Sequence, residues 1–273
     1  MTNLRSVGPV MLVGAGKMGL AMATGWLEAG LPPSNLVLVD PAPSDAAKQL
    51  ADDFGLVIHQ VASGLEPNVL VLAVKPQIIG PVMSGLHSVV GPQTLVLSIA
   101  AGISIAKLSA GLATGRVVRT MPNTPAQIGK GVTGAVAGSD ITADDRAVVD
   151  SLLAAAGQVA WFKREGDLDA VTAVSGSGPA YVFNLVEALA SAGRAQGLAE
   201  DVAMKLARQT VIGSAALLEA DPAPASTLRE NVTSPNGTTA AALTVLMGED
   251  GLTPLMERAV DAARRRSEEL GRG

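Results

Sequence analysis

The amino-acid sequence predicts an α/β chain in two parts, a doubly wound sheet over residues 1–164 and an all-α region over residues 165–273. Three observations lead there. Short apolar runs alternate with helix-like segments up to about residue 160, the rhythm of βαβ units. Several of those runs are unbroken Val, Leu and Ile, as expected for parallel strands covered on both faces. Past Glu165 the pattern changes and no further strand is expected.

Taken in order, the expected strands are Val10–Val13, Leu36–Val39, Leu56–Ile58, Val69–Val74, Leu95–Ile99, Val117–Met121, Thr133–Ala137 and Val159–Phe162. Helical patterns fill most of the gaps. The second part reads as helices over Pro179–Gln196, Ala199–Ala220, Ala225–Val232, Thr239–Met247 and Leu252–Leu270. Pro179 suits the start of the first of these, because a proline at the first helical position removes an N–H that has no partner there. Asp221-Pro222-Ala223-Pro224 stops the second.

Composition narrows the function classes. The formal net charge is -5, so the basic footprint of a nucleic-acid binder is missing. Arg264-Arg265-Arg266 runs straight into Glu268 and Glu269 and reads as a solvated helix end. With no cysteine in the chain, disulfides, thiolate nucleophiles and cysteine-based zinc sites drop out. No apolar stretch of membrane-spanning length and no leader-like N-terminus is found, so a cytoplasmic location with no membrane partner is expected. His59 and His87 lie away from the motifs described next, and no metal-ligand spacing occurs.

Gly14-Ala15-Gly16-Lys17-Met18-Gly19 follows the first strand and opens a helix. In that context the three glycines serve a tight turn, a close backbone approach to a pyrophosphate, and close packing of helix on strand. This is the Rossmann arrangement, and it implies a dinucleotide. Asp40 ends the second strand about twenty residues later, where a carboxylate can accept from a ribose 2′-hydroxyl; the alternative is a turn or helix-capping aspartate before Pro41. Ala73-Val74-Lys75-Pro76 and Ala100-Ala101-Gly102 follow two further strands and fit the same cleft, although Lys75 could be only a surface lysine.

In the helical part, Ser175-Gly176-Ser177-Gly178-Pro179-Ala180-Tyr181 reads chiefly as a helix start with close packing. Ser234-Pro235-Asn236-Gly237-Thr238-Thr239 separates two helices and offers hydroxyls and backbone N–H groups without an acid, which suits a carboxylate ligand; a helix cap with no ligand is the alternative. Neither motif brings a strong base. That fits hydride transfer, where the cofactor carries the chemistry and the protein orients the substrate.

Together these motifs resemble the pyrroline-5-carboxylate reductase family over nearly the whole chain, through Val13–Gly19, Ala73–Pro76, Ser98–Gly102, Met121–Pro125, Ser175–Tyr181 and above all Val232–Thr239. Asn236 stands where many members have glycine. The resemblance implies a Rossmann domain followed by a helical dimerisation domain. It implies hydride transfer from NADPH or NADH to the imine carbon of 1-pyrroline-5-carboxylate, giving L-proline in the last step of proline biosynthesis. By the same carry-over, Ser234, Gly237 and Thr238 meet the substrate carboxylate and Thr239 hydrogen-bonds the ring nitrogen. Glu165 and Asn231 line the substrate pocket. Gly14 to Gly19, Val74, Lys75, Pro76 and Ala101 touch the cofactor. The resemblance further implies a homodimer through the helical half and admits a decamer of five dimers. It favours NADPH, whereas an ionised Asp40 would repel a 2′-phosphate and favours NADH.

Two other readings share the glycine turn. A β-hydroxyacid dehydrogenase needs a general base for alcohol oxidation, and that family typically carries a lysine in the helix that here reads Ala180-Tyr181-Val182-Phe183-Asn184-Leu185. A non-catalytic dinucleotide sensor would have no use for the hydroxyls of Ser234, Thr238 and Thr239.

Overall fold

The computed structural model describes residues 4–271. The start of the first predicted span, residues 1–3, and the end of the second, residues 272–273, therefore lie outside the described residues. Eight strands form one sheet: β1 (Val10–Val13), β2 (Leu36–Val39), β3 (Ile58–His59), β4 (Val69–Leu72), β5 (Leu95–Ser98), β6 (Val117–Met121), β7 (Gly131–Ala137) and β8 (Gly157–Trp161). The helices are α1 (Lys17–Glu28), α2 (Asp45–Phe54), α3 (Ile79–Leu86), α4 (Ile105–Leu112), α5 (Ala143–Ala154), α6 (Asp167–Val171), α7 (Gly178–Ala195), α8 (Glu200–Ala220), α9 (Ala225–Asn231), α10 (Thr238–Leu246) and α11 (Leu252–Gly271). One turn of π-helix, Thr172–Gly176, lies between α6 and α7.

The sheet order is β3-β2-β1-β4-β5-β6-β7-β8. The chain reverses direction across the sheet after β3, so β1 lies between β2 and β4. Several of the apolar runs were expected to be parallel strands, and β1 to β6 are parallel throughout, whereas β7 and β8 run parallel to each other but against those six. β6 and β7 are antiparallel, because the short link Pro122–Lys130, folded as a 3-10 turn over Thr124–Ile128, is too brief for a parallel crossover.

Strand alternation sends side chains to two cores. Val10 and Leu12 join Met22, Trp26, Leu50, Val149 and Leu152 on the face covered by α1, α2 and α5. Met11 and Val13 join Ile79, Met83, Leu108 and Leu112 on the face covered by α3 and α4. Trp26 is fully buried and its indole N–H donates to the Leu152 carbonyl at 2.8 Å, tying α1 to α5. With both faces pinned, the strand ends and their turns are held on rigid supports.

By contact density the chain divides into two units: residues up to Gly176 with those from Arg264 onward, and Ser177–Ala263. The first unit continues past the last strand into α6, where Leu168 is buried and Val171 sits where a Cβ on Gly134 would fall, 2.8 Å from its Cγ1. In the second unit α7 and α8 are joined through Gly197, at φ +91°, and pack at Gly193 and Ala203. Its buried apolar residues are the small Ala190, Ala203 and Ala207, while Phe183, Leu206, Leu217 and Val245 stand exposed.

Candidate functional site

The glycine turn after β1 is built so that two glycines are closed by protein and one is left open. Gly14 has φ +98°, and a Cβ there would lie 2.9 Å from the carbonyl carbon and oxygen of Ala73. A Cβ on Gly19 would lie 2.3 Å from the Gly14 carbonyl oxygen. A Cβ on Gly16 would meet nothing within 4 Å. Gly16 is exposed and caps α1 with no side-chain hydrogen bond to the helix start. The helix start therefore carries no side-chain cap beside an open Gly16, and the amides of its first turn form the positive end of the helix. This is a cradle for an anion, and a dinucleotide pyrophosphate fits it. Lys17 is exposed, while Met18 packs its side chain on the first core face.

Asp40 follows β2 and turns its side chain back toward this loop. Its Oδ2 accepts from the Ala15 N–H at 2.8 Å and its Oδ1 from the Ala42 N–H at 2.9 Å. The turn role is thus present. The helix-cap role belongs to Ser44, whose hydroxyl accepts from the Ala47 N–H at 3.3 Å. Asp40 remains half-buried beside the open turn, and each carboxylate oxygen has a second lone pair for a further donor.

Strand pairing brings the other two turns to the same edge. β1 pairs with β4 and β4 with β5, all parallel, so Gly14, Ala73-Val74-Lys75 and Ser98–Gly102 leave the carboxyl ends of three neighbouring strands. Ligands of open α/β sheets bind at that edge. Val74 leans on the second core face, Lys75 is exposed at the start of the 3-10 turn opened by Pro76, and Ala101 is exposed on its turn.

Glu165 is in the first unit. Its Oε1 accepts from the Ile105 N–H at 2.8 Å and from Arg119 Nη1 at 2.7 Å. A pocket of about 310 Å³ adjoins this pair and is lined by Gly102, Ser104, Arg119, Glu165, Asp169 and Glu268. Arg119 is the residue that motif reading missed. The signal was a lone charge inside the run Val117-Val118-Arg119-Thr120-Met121, where a buried guanidinium requires a partner.

The hydroxyl-rich loop lies in the second unit. The Gly237 N–H donates to the Ser234 carbonyl at 3.0 Å, closing a turn with Pro235 and Asn236 at its centre. Asn236 has φ +58°, the left-handed value expected of the residue that replaces glycine. Gly237 then caps α10 without a side-chain hydrogen bond, so Thr238 and Thr239 open the helix with their amides unclaimed by a cap. Ser234 and Thr238 are exposed and Thr239 half-buried; Asn231 ends α9 and is exposed.

Another cavity, about 650 Å³, lies at the opposite end of the sheet. It is lined by the amino ends of β4 and β5 and by Arg116 and Asp145, and so is on the wrong edge for a ligand of this fold. Burial pushes the Asp145 carboxyl up, but the Thr142 N–H and Arg116 outweigh it and hold it below its ordinary value of 3.8, as in a structural ion pair. Among the described residues no group of three His, Cys, Asp or Glu side chains is placed to hold a metal, and no helix is long and apolar enough to cross a membrane.

Comparison with known proteins accounts for both units. Residues 165–270 match the family model described as pyrroline-5-carboxylate reductase dimerisation, and residues 9–102 match that described as NADP oxidoreductase coenzyme F420-dependent. The chain is 39% identical to the pyrroline-5-carboxylate reductase of Pseudomonas aeruginosa, with 96% of each chain covered. It is 40% identical to that of Mycobacterium leprae, with 98% of each covered. Among solved structures it is similar to a pyrroline-5-carboxylate reductase from Coxiella burnetii, at a TM-score of 0.90 and 32% identity over 97% of this chain and 99% of that one. The Plasmodium falciparum pyrroline carboxylate reductase, solved with NADP bound, aligns at a TM-score of 0.80 and 29% identity over 96% and 98%. A Rossmann-type sheet with an open glycine cradle, a helical dimerisation region and relatives of this identity along nearly its full length place the chain in the pyrroline-5-carboxylate reductase family.

Proposed function

We propose that this protein reduces 1-pyrroline-5-carboxylate to L-proline at the expense of NADPH or NADH, the closing step of proline biosynthesis, in the cytoplasm. The observation that carries this reading is the pairing of an open glycine cradle with the uncapped, acid-free start of α10 in a member of this family. The functional division we adopt falls at residue 164, since the matched dimerisation region begins at residue 165.

In this reading the amides from Lys17 to Gly19 hold the pyrophosphate, Asp40 faces the adenosine ribose, and Val74, Lys75, Pro76 and Ala101 form the wall beyond it. Ser234, Gly237 and Thr238 hold the substrate carboxylate, largely through backbone N–H groups at the positive end of α10. Thr239 places its hydroxyl on the ring nitrogen. Glu165 and Asn231 stand at the wall of the substrate pocket. When bound, the nicotinamide would supply the hydride that reduces the imine carbon. A protonated imine is already electrophilic and is neutralised by that addition, so no residue has to remove a proton from carbon. What the protein contributes is orientation. An alcohol dehydrogenase of similar shape would need a general base; α7 offers no lysine between Ala180 and Leu185.

Thr239→Ala tests the assignment. Loss of one oriented hydrogen bond, worth roughly 0.5–1.5 kcal/mol net and more to a charged partner, should lower kcat/KM for the imine by about tenfold in a folded protein that binds cofactor normally. Unchanged steady-state constants would remove Thr239 from the mechanism.

A further inference from the structure

Two helices start at the carboxyl edge of the sheet close to the proposed cofactor turns, and their N-termini are treated in opposite ways. The start of α1 is uncapped and open at Gly16. The start of α4 is filled from within the protein. Glu165 Oε1 accepts the Ile105 N–H, the first amide of α4, and Ser104 Oγ accepts the Lys107 N–H at 3.1 Å. An internal carboxylate thus occupies the place where an external anion would bind.

That carboxylate is itself fixed. Arg119 is held in β6 by register with Ser98 on one side and Val136 on the other, and its side chain is 13% exposed. Its Nη1 reaches the same Oε1 that takes the Ile105 N–H. The turn between β5 and α4 therefore ends on an amide clamped by an ion pair. On its other side the turn meets the end of α11 within the same unit. Gly102 has φ +73°, and a Cβ there would lie 3.5 Å from the Leu270 carbonyl oxygen. Ser267 Oγ donates to Asp169 Oδ1 at 2.6 Å, fastening that helix end in turn. Ala101, at the tip, is left exposed.

We propose that Arg119 and Glu165 are positioning residues for the dinucleotide: they hold the Ile99–Ser104 turn as a preformed wall and fill the start of α4, leaving α1 as the anion site. The proposal rests on the reductase reading and goes beyond it, because it gives Glu165 a task on the cofactor side as well as at the pocket wall.

The test uses the full-length protein and two readouts besides turnover: equilibrium binding of NADPH and of NADH by nicotinamide fluorescence, and amide hydrogen exchange of the segment 99–106. In Glu165→Ala, exchange of that segment and the dinucleotide Kd should each rise by about tenfold, and the dinucleotide KM should rise more than kcat falls. Glu165→Gln keeps an acceptor oxygen and should restore both readouts to within about twofold of wild type. Arg119→Lys keeps the charge but loses the planar fork, and should fall between wild type and Glu165→Ala; it carries the test if Glu165→Ala does not fold. If the wild type binds dinucleotide but the variants bind it equally well, or change only the KM for the imine, the positioning role is overturned and the reductase reading stands. If the wild type binds no dinucleotide, both are overturned.

Discussion

Asp40 holds a loop and, in the proposed reading, also sets a ligand preference, and its substitution should reveal both. Its Oδ2 restrains the Ala15 N–H inside the glycine turn, and in the proposed reading its negative charge faces the adenosine ribose. A free 2′-hydroxyl can donate to that carboxylate; a 2′-phosphate is repelled by it, and no arginine follows in Pro41-Ala42-Pro43-Ser44 to offset the repulsion. NADH is therefore expected to serve this enzyme well. In Asp40→Ser the NADH-to-NADPH ratio of kcat/KM should fall. Both cofactors should also bind more weakly, because serine is too short to keep the bond to Ala15. A wild type that strongly prefers NADPH, or a ratio that the substitution does not move, would show that selection lies elsewhere. This dual use was only half legible in the sequence. The position after β2 identified the acid, but the contact with a residue 25 positions earlier depends on how the two strands sit side by side.

At the scale of elements, the glycine turn was legible because each of its constraints is local: a strand, three glycines at fixed spacing and a helix start. The structure adds that the glycines are not equivalent. Gly16→Ala should leave the melting temperature within about 1–2 °C, as its Cβ enters open space, yet weaken dinucleotide binding by about tenfold or more by intruding on the pyrophosphate. Gly14→Ala should instead destabilise the fold, since it adds a backbone clash to a positive φ. Equal effects of the two substitutions on stability would contradict this division of labour. Other elements were less legible. β6 and β7 both read as apolar strands, and only the brevity of the link between them sets their antiparallel pairing. The π-helical turn at Thr172–Gly176 had no sequence signal beyond Ser175 and Gly176. The role of Glu165 at α4 hid in a contact 60 residues apart in sequence, with Arg119 visible beforehand only as an odd charge within a strand.

For the whole molecule, the second unit sets the requirement. Its buried residues are small alanines, while Val182, Phe183, Leu206, Ile212 and Leu217 of α7 and α8 are exposed. Helices that are apolar on more than one face must bury the excess against something, and the matched family region is one of dimerisation. The chain should form a stable homodimer through residues after about 165, which light scattering would resolve. A monomer that remains active on dilution would contradict this. Assembly, cofactor cradle and substrate loop all serve one claimed event, the passage of hydride to an imine carbon. The most direct measurement is therefore isotopic. Purified protein is given 1-pyrroline-5-carboxylate and NADPH or NADH dideuterated at the nicotinamide carbon that carries hydride, and the product is analysed by mass spectrometry. The account predicts L-proline carrying one deuterium, on the ring carbon that was the imine carbon, in amounts equal to the cofactor oxidised. Cofactor bound but not consumed, or oxidised without deuterium at that carbon, would contradict it.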